Sequence, residues 1–216
     1  MRTRKTLRVA SLGALLGTAA LTAAGYEREL SSLQVREAVF LGHSTSPRAV
    51  EFLKDYVQTF PAPGSGVYLA RAELATPYKQ IVVRARTAVS GSYSPLDAQR
   101  DYQRTPRRIV LDLTFLRPLT TLPYTAAGAG PVIGLSPLDL LAGFTYALAQ
   151  QRREVRAHIQ RIDGIYNCSP FGCTLVGARV RLGIELADVA SAPLALEVAA
   201  PDGSLLHATF DLTRLR

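Results

Sequence analysis

The chain has 216 residues, with 25 Lys and Arg against 17 Asp and Glu (formal charge +8), and is 48% hydrophobic and 19% charged. That balance excludes a disordered chain, which lacks the apolar surface needed to offset its ordering entropy, and the length suits one substantial core. Two cysteines and three histidines exclude a disulfide-rich scaffold and leave zinc without a clustered ligand set.

The start, Met1 to Arg8, is basic, and Val9 to Ala24 then runs uncharged into small residues. This pattern predicts a secretory signal peptide over 1–24, cleaved after Ala24. The alternative is an uncleaved N-terminal anchor in the inner membrane, the one membrane contact expected, although sixteen apolar residues are short for a span. No cysteine follows for lipid attachment, and the leader has no Arg-Arg pair. The expected location is therefore periplasmic or secreted. The leader holds four of the 25 basic residues (Arg2, Arg4, Lys5, Arg8) and no acidic ones, which leaves 21 against 17, or +4. A balance that mild does not predict nucleic-acid binding.

After the leader, 25–62 reads as a helical segment. A first helix spans Glu27 to Leu41, with Gly42 as its stop. Ser46-Pro47 opens a second, with Val50, Leu53, Val57 and Phe60 at helical spacing, and Pro61 to Gly66 ends it. Residues 63–216 read as a β domain. Tyr68, Ala70, Ala72 and Leu74 alternate with Leu69, Arg71 and Glu73; Ile81, Val83 and Ala85 alternate with Val82, Arg84 and Arg86. Ser94-Pro95 predicts a short helix to Tyr102, and Ile109, Leu111, Leu113 and Phe115 a half-buried strand. A long loop follows over 117–136, then a strand with Phe144, Tyr146 and Leu148.

Two hairpins close the chain. Val155 to Leu186 folds about Ser169-Pro170-Phe171-Gly172, with Cys168 facing Cys173. That register sets Val155 opposite Leu186, Ala157 opposite Ile184 and Ile159 opposite Leu182 on one face. Arg156 opposite Glu185 and Gln160 opposite Arg181 occupy the other. In the second hairpin, Ala200-Pro-Asp-Gly-Ser204 predicts a three-residue loop with Gly203 left-handed. Val198 then faces Leu206, Leu196 faces Ala208 and Leu194 faces Phe210. The fold class expected is mainly β: an antiparallel β-sandwich, immunoglobulin-like in the broad sense, with a short helical N-terminal appendage.

In an oxidising compartment the cysteine pair reads as a disulfide. Its Cys-x4-Cys spacing is not that of thiol oxidoreductases, and closing so short a loop contributes about 2 kcal/mol. Arg156, His158, Arg179 and Arg181, with Phe171 at the hairpin tip, form a candidate contact surface for an envelope protein or an anionic envelope component. The competing view makes them the charged outer face of a sheet. In the chosen register His207 lies opposite Glu197, a base beside an orienting carboxylate, but no Gly-x-Ser-x-Gly elbow supplies a nucleophile. Calcium-loop, phosphate-loop and dinucleotide motifs are absent, so no cofactor and no metal are expected. The reading that follows is an exported, non-enzymatic protein with a binding or envelope-structural role. The alternatives are a hydrolase built on an unrecognised Ser/His/Glu site at His207, and an assembly partner docking through the 117–136 loop or an edge strand.

Overall fold

Alternation in Arg108–Leu116 makes β3 the centre of the larger sheet, with Ile109, Leu111, Leu113 and Phe115 buried on one face. The computed structural model describes residues 29–88, 92–105, 107–118, 136–170 and 172–216. The expected leader, most of the 117–136 loop and Phe171 lie outside them.

The elements run α1 (Ser32–His43), α2 (Pro47–Lys54), β1 (Val57–Thr59), β2 (Tyr68–Ala75), α3 (Pro77–Thr87), α4 (Pro95–Arg104) and β3. A single turn, α5 (Pro137–Leu140), then leads to β4 (Thr145–Gln150), β5 (Arg153–Glu154), β6 (His158–Ser169), β7 (Gly172–Glu185), β8 (Pro193–Ala199) and β9 (Leu205–Asp211). All strand pairings are antiparallel, in a five-stranded sheet ordered β1-β2-β3-β7-β6 and a four-stranded sheet ordered β5-β4-β8-β9. Their inner faces share one core. Ile109 faces Ile184, Leu111 faces Leu182 and Leu113 faces Val180 across β3 and β7, against Leu148, Leu194, Leu196, Val198 and Phe210 of the second sheet. Phe115 and Phe144 meet edge to face at 4.9 Å. The sandwich expected from the periodicity is present.

The C-terminal hairpin follows the expected register, with Val198 opposite Leu206, Leu196 opposite Ala208 and Leu194 opposite Phe210. Gly203 takes φ of +83°, and the Ala200 and Gly203 amides close the loop.

Four expectations are corrected. Residues 77–87 are helix α3, not a strand. Thr76 caps it by accepting from the Lys79 amide at 3.3 Å, Pro77 opens it, and Tyr78, Ile81, Val82 and Ala85 are buried on one helical face while Val83 is exposed. Gly42 does not stop α1 but lies inside it, buried against α3, where a Cβ would come 2.4 Å from the Val82 carbonyl and 2.6 Å from the Ala85 Cβ. A β-bulge between Leu69 and Arg71 turns Leu69 inward with Ala72 and Leu74, where strict alternation had set it outward. Finally, the helical part is not confined to the N-terminus. α3 and α4, inserted between β2 and β3, join α1 in a second core of Val35, Ala38, Val39, Tyr78, Val82 and Ala98, and β1, within the expected helical segment, belongs to the larger sheet.

One buried cation joins this helical layer to the sandwich. The Lys79 side chain, 1% exposed, donates to Glu73 Oε1 at 2.7 Å and to the Leu74 carbonyl at 2.8 Å, with its ammonium 4.8 Å from the Tyr56 ring centroid. The Tyr56 hydroxyl donates to the Arg216 carbonyl at 2.9 Å and accepts from the Arg216 amide at 3.1 Å. Thr76 Oγ1 donates to the same carbonyl. Removing the amine takes the side-chain donor from the Leu74 carbonyl and from Glu73 Oε1, leaving the carboxylate with Arg71 alone. Lys79→Met is therefore expected to lower the unfolding free energy by about 3 kcal/mol in urea titration, and a loss below about 1 kcal/mol would contradict the hub.

Burial raises the Tyr56, Tyr78, Tyr93 and Tyr146 pKa values above the ordinary 10.0, Tyr93 to about 12. Their contribution is fully present below pH 10 and is lost as pH climbs above it, because the unfolded tyrosines ionise first. Lys79 has the opposite sign, since burial lowers its pKa, and it adds stability only as pH rises toward 10.5. Between pH 10.5 and 11.5 the tyrosines dominate, with the fading Lys79 contribution offsetting a small part of their effect. Tyr56, the most enclosed, makes unfolding easier by about 1.4 kcal/mol over that unit, and solvent screening reduces the share of Tyr93 and Tyr146. Denaturant melts across this range should show that fall, and Tyr56→Phe should flatten it.

Candidate functional site at the open edge of the larger sheet

β6 closes the larger sheet on one side and, among the described strands, pairs only with β7. The chain reaches it by changing sheets. β4 and β5 pair through a two-residue turn in which Gln151 and Arg152 both take positive φ, the Val155 amide still donates to Leu148 of β4 at 2.9 Å, and the ladder with β7 begins at His158 opposite Gly183. The expected pairs of Val155 with Leu186, Arg156 with Glu185 and Ala157 with Ile184 are therefore not formed, and Ile184 and Glu185 pair only on the other side of β7, with Ile109 and Arg108 of β3. Ile159 does face Leu182, and Cys168 faces Cys173, to which it is disulfide-bonded.

Between these two ends the register is offset by one residue. A bulge at Gln160 puts Arg161, not Gln160, opposite Arg181, and an extra residue on β7, Val176, restores the frame at Tyr166. Gln160 and His158 fold over Gly183, where a Cβ would come 2.1 Å from Gln160 Nε2. Beyond the shelter of β7, Ile159 is 52% exposed and Tyr166 54%. The expected inward placement of Ile159 gives way to the edge.

The outer face of this sheet is an array of charges in two rows. One runs Glu73, Asp112, Arg181, Arg161 across β2, β3, β7 and β6; the other runs Arg71, Thr114, Arg179, Asp163. Arg181 forks onto Asp112 with two 2.8 Å bonds, which raises the guanidinium pKa further. Arg71 meets Glu73 at 2.5 Å, and Arg161 meets Asp163 on its own strand at 2.5 Å. Arg179 forms no ion pair among the described residues. Arg181 is thus held within the sheet face, while Arg161 and Asp163 stand at its rim. Neither was singled out in the sequence, because a bulge shifted their register.

Arg156 and His158 lie away from this array. With Tyr146, Glu154, Glu185 and Asp188 they line a cleft of about 400 Å³ where the chain crosses between sheets. The Arg108 guanidinium donates to His158 Nε2 at 3.1 Å, which makes that nitrogen an acceptor. The five expected contact residues therefore divide. Arg179 and Arg181 share the sheet face, Arg156 and His158 share the cleft, and Phe171 lies outside the described residues. A smaller cleft, about 80 Å³, separates α3 and α4 from the start of β3, where Arg84 stacks over Tyr93 at 5.3 Å and Arg107 over Tyr102 at 5.2 Å. The strand reading of α3 hid it.

His207 sits opposite Glu197 as expected, with Nδ1 at 3.6 Å from Oε2 and side chains 65% and 51% exposed. Neither residue lines either cleft, and no hydroxyl among the described residues hydrogen-bonds to either. No group of three or more His, Cys, Asp or Glu is placed to hold a metal among the described residues, and no described helix is long and apolar enough to cross a membrane. No known protein family, curated protein or solved structure matches the chain.

The two charge pairs generate a contrast. A double-mutant cycle on Asp112 and Arg181 should give a coupling of about 1 kcal/mol, as expected for a forked pair half out of solvent. The same cycle on Glu197 and His207 should stay below about 0.5 kcal/mol. Equal couplings would contradict the geometric distinction.

Proposed function

We propose that this is an exported binding or envelope-architecture protein, without catalytic activity, whose working surface is the β6 edge with its stapled tip. One observation carries the reading: a twelve-residue strand ends the five-stranded sheet, with no strand paired beyond it among the described residues and two half-exposed apolar side chains upon it. Such an edge is a template for an added strand. β9 offers the other long edge, but only seven residues. The disulfide at the tip suits an oxidising compartment, and with the basic, apolar leader supports export to the periplasm or beyond. An added strand takes its hydrogen bonds from the backbone, so the role needs neither cofactor nor metal.

The test is photo-cross-linking in the native host, with the reactive residue placed at Arg161 or Tyr166 on β6 and, as control, at Glu197 on the internal strand β8. Discrete adducts from β6 and none from β8 are expected, on a protein whose mass lacks residues 1–24. Adducts equally frequent from both positions would overturn the edge. A mass that retained Met1 would overturn the cleaved leader.

A further inference from the structure

The edge strand carries a pattern that specifies its own partner. We infer that a second copy of this chain pairs its β6 with β6, antiparallel about a two-fold axis through Ile162, to form one continuous sheet of ten strands. The inference rests on the reading of β6 as the working edge and names what occupies it.

The register follows from symmetry and charge. A two-fold axis normal to a sheet keeps every side chain on its own face, so the residue on the axis must meet itself. With Arg161 on the axis two guanidinium groups collide, and with Asp163 two carboxylates do. With Gly164 there, Arg161 meets Asn167 and Asp163 meets Ile165, and no ion pair forms. Ile162 on the axis alone among these places Arg161 opposite Asp163 of the second copy, and Asp163 opposite its Arg161.

The same register completes the rows of the outer face. Within one chain the first row ends in two arginines, Arg181 beside Arg161, an unfavourable juxtaposition. Asp163 of the second copy then stands next in that row, followed by its Arg179. The second row, ending Arg179 and Asp163, meets Arg161 and then Arg181 of the second copy. Both rows thus gain an opposite charge at the junction. In the single chain Arg161 already turns to Asp163 along its own strand, so the two groups share a face and lie within reach. At the axis Ile162 meets its own counterpart. The bulge at Gln160 ends the regular ladder there, beside Gly164 of the second copy, and brings the half-exposed Ile159 close to its Ile165. The bulge thus limits pairing to a short stretch, and the isologous contact consumes the β6 edge of each copy, so that the joined sheet ends at either side in the three-residue β1.

The test is sedimentation velocity on the purified exported protein up to about 100 μM, with charge swaps. A concentration-dependent dimer is expected. Arg161→Asp alone and Asp163→Arg alone each place like charges across the axis and should weaken it about tenfold or more. The double swap restores complementarity and should restore dimerisation. Circular dichroism on each variant confirms the fold, which these exposed positions leave intact. A dimer indifferent to the swaps, or a monomer at every concentration, would overturn the inference. The monomer outcome is distinct from failure of the edge reading, since photo-cross-links from β6 to a different protein would still uphold that reading.

Discussion

A buried ammonium group ties the first turn of α3 to the end of β2, where the helical layer meets the sandwich. Lys79 begins in the first turn of α3 and ends beneath Tyr56, bonded to Glu73 and to the Leu74 carbonyl of β2. Taking a lysine out of water is costly, and the cost is offset only when each donor finds an acceptor and the geometry is close. The site meets that demand from β2 itself, one residue pair before the helix begins. The turn from strand to helix at Thr76 is therefore constrained at both ends: the Thr76 hydroxyl receives the helix amide and donates to Arg216, while the lysine reaches back over it. This places α3 across the end of the larger sheet, and α1 packs on α3 through the bare backbone at Gly42.

The same group also starts a chain of charges that decides the character of the outer face. Glu73 satisfies Lys79 and Arg71, so Asp112 beside it is free for Arg181, and Arg181 is consumed by that fork. What remains for the rim is Arg161, next to an arginine that has no carboxylate left to share. The inner face of the sheet has no such remainder, because Leu111, Leu182 and their neighbours bury one another. An apolar inner face buried on β3 and β7 but half-exposed at Ile159, together with an outer face whose Arg161 and Asp163 stand at the border, concentrates recognition at β6. The disulfide serves that arrangement by closing the far end of a hairpin whose long free strand would otherwise fray.

How much of this was legible depends on whether local chemistry left only one solution. At Ala200-Pro-Asp-Gly it did: the alternative loop would have mixed polar and apolar residues across the strands, and the register was readable residue by residue. At Ile81-Val82-Val83 it did not, because a run of three aliphatics satisfies both periods, and the decisive signal was the Thr76-Pro77 cap just upstream. The β4–β5 turn of Gln151 and Arg152 lacks the Asn-Gly or Asp-Gly that marks such a turn. The bulge at Gln160 has no sequence mark at all, so the first hairpin was right at Cys168 and Ile159 and wrong in between. Arg179 and Arg181 were correctly set on the outer face, yet the sign and reach of their neighbours depended on pairing with β3, which no local pattern announces. Lys79 was invisible for the plainest reason: lysines are almost always at the surface.

The burial of that lysine is open to a direct chemical measurement. The chain contains three lysines, Lys5, Lys54 and Lys79. The Lys54 side chain is 66% exposed and paired only with Glu51, whereas that of Lys79 is 1% exposed. Brief acetylation of the native protein, read by peptide mass spectrometry, should modify Lys54 and spare Lys79, with Lys79 becoming reactive only in denaturant. Modification of Lys79 in the native protein at the rate of Lys54 would show that no buried cation joins the helices to the sandwich, and the account built on it would fall.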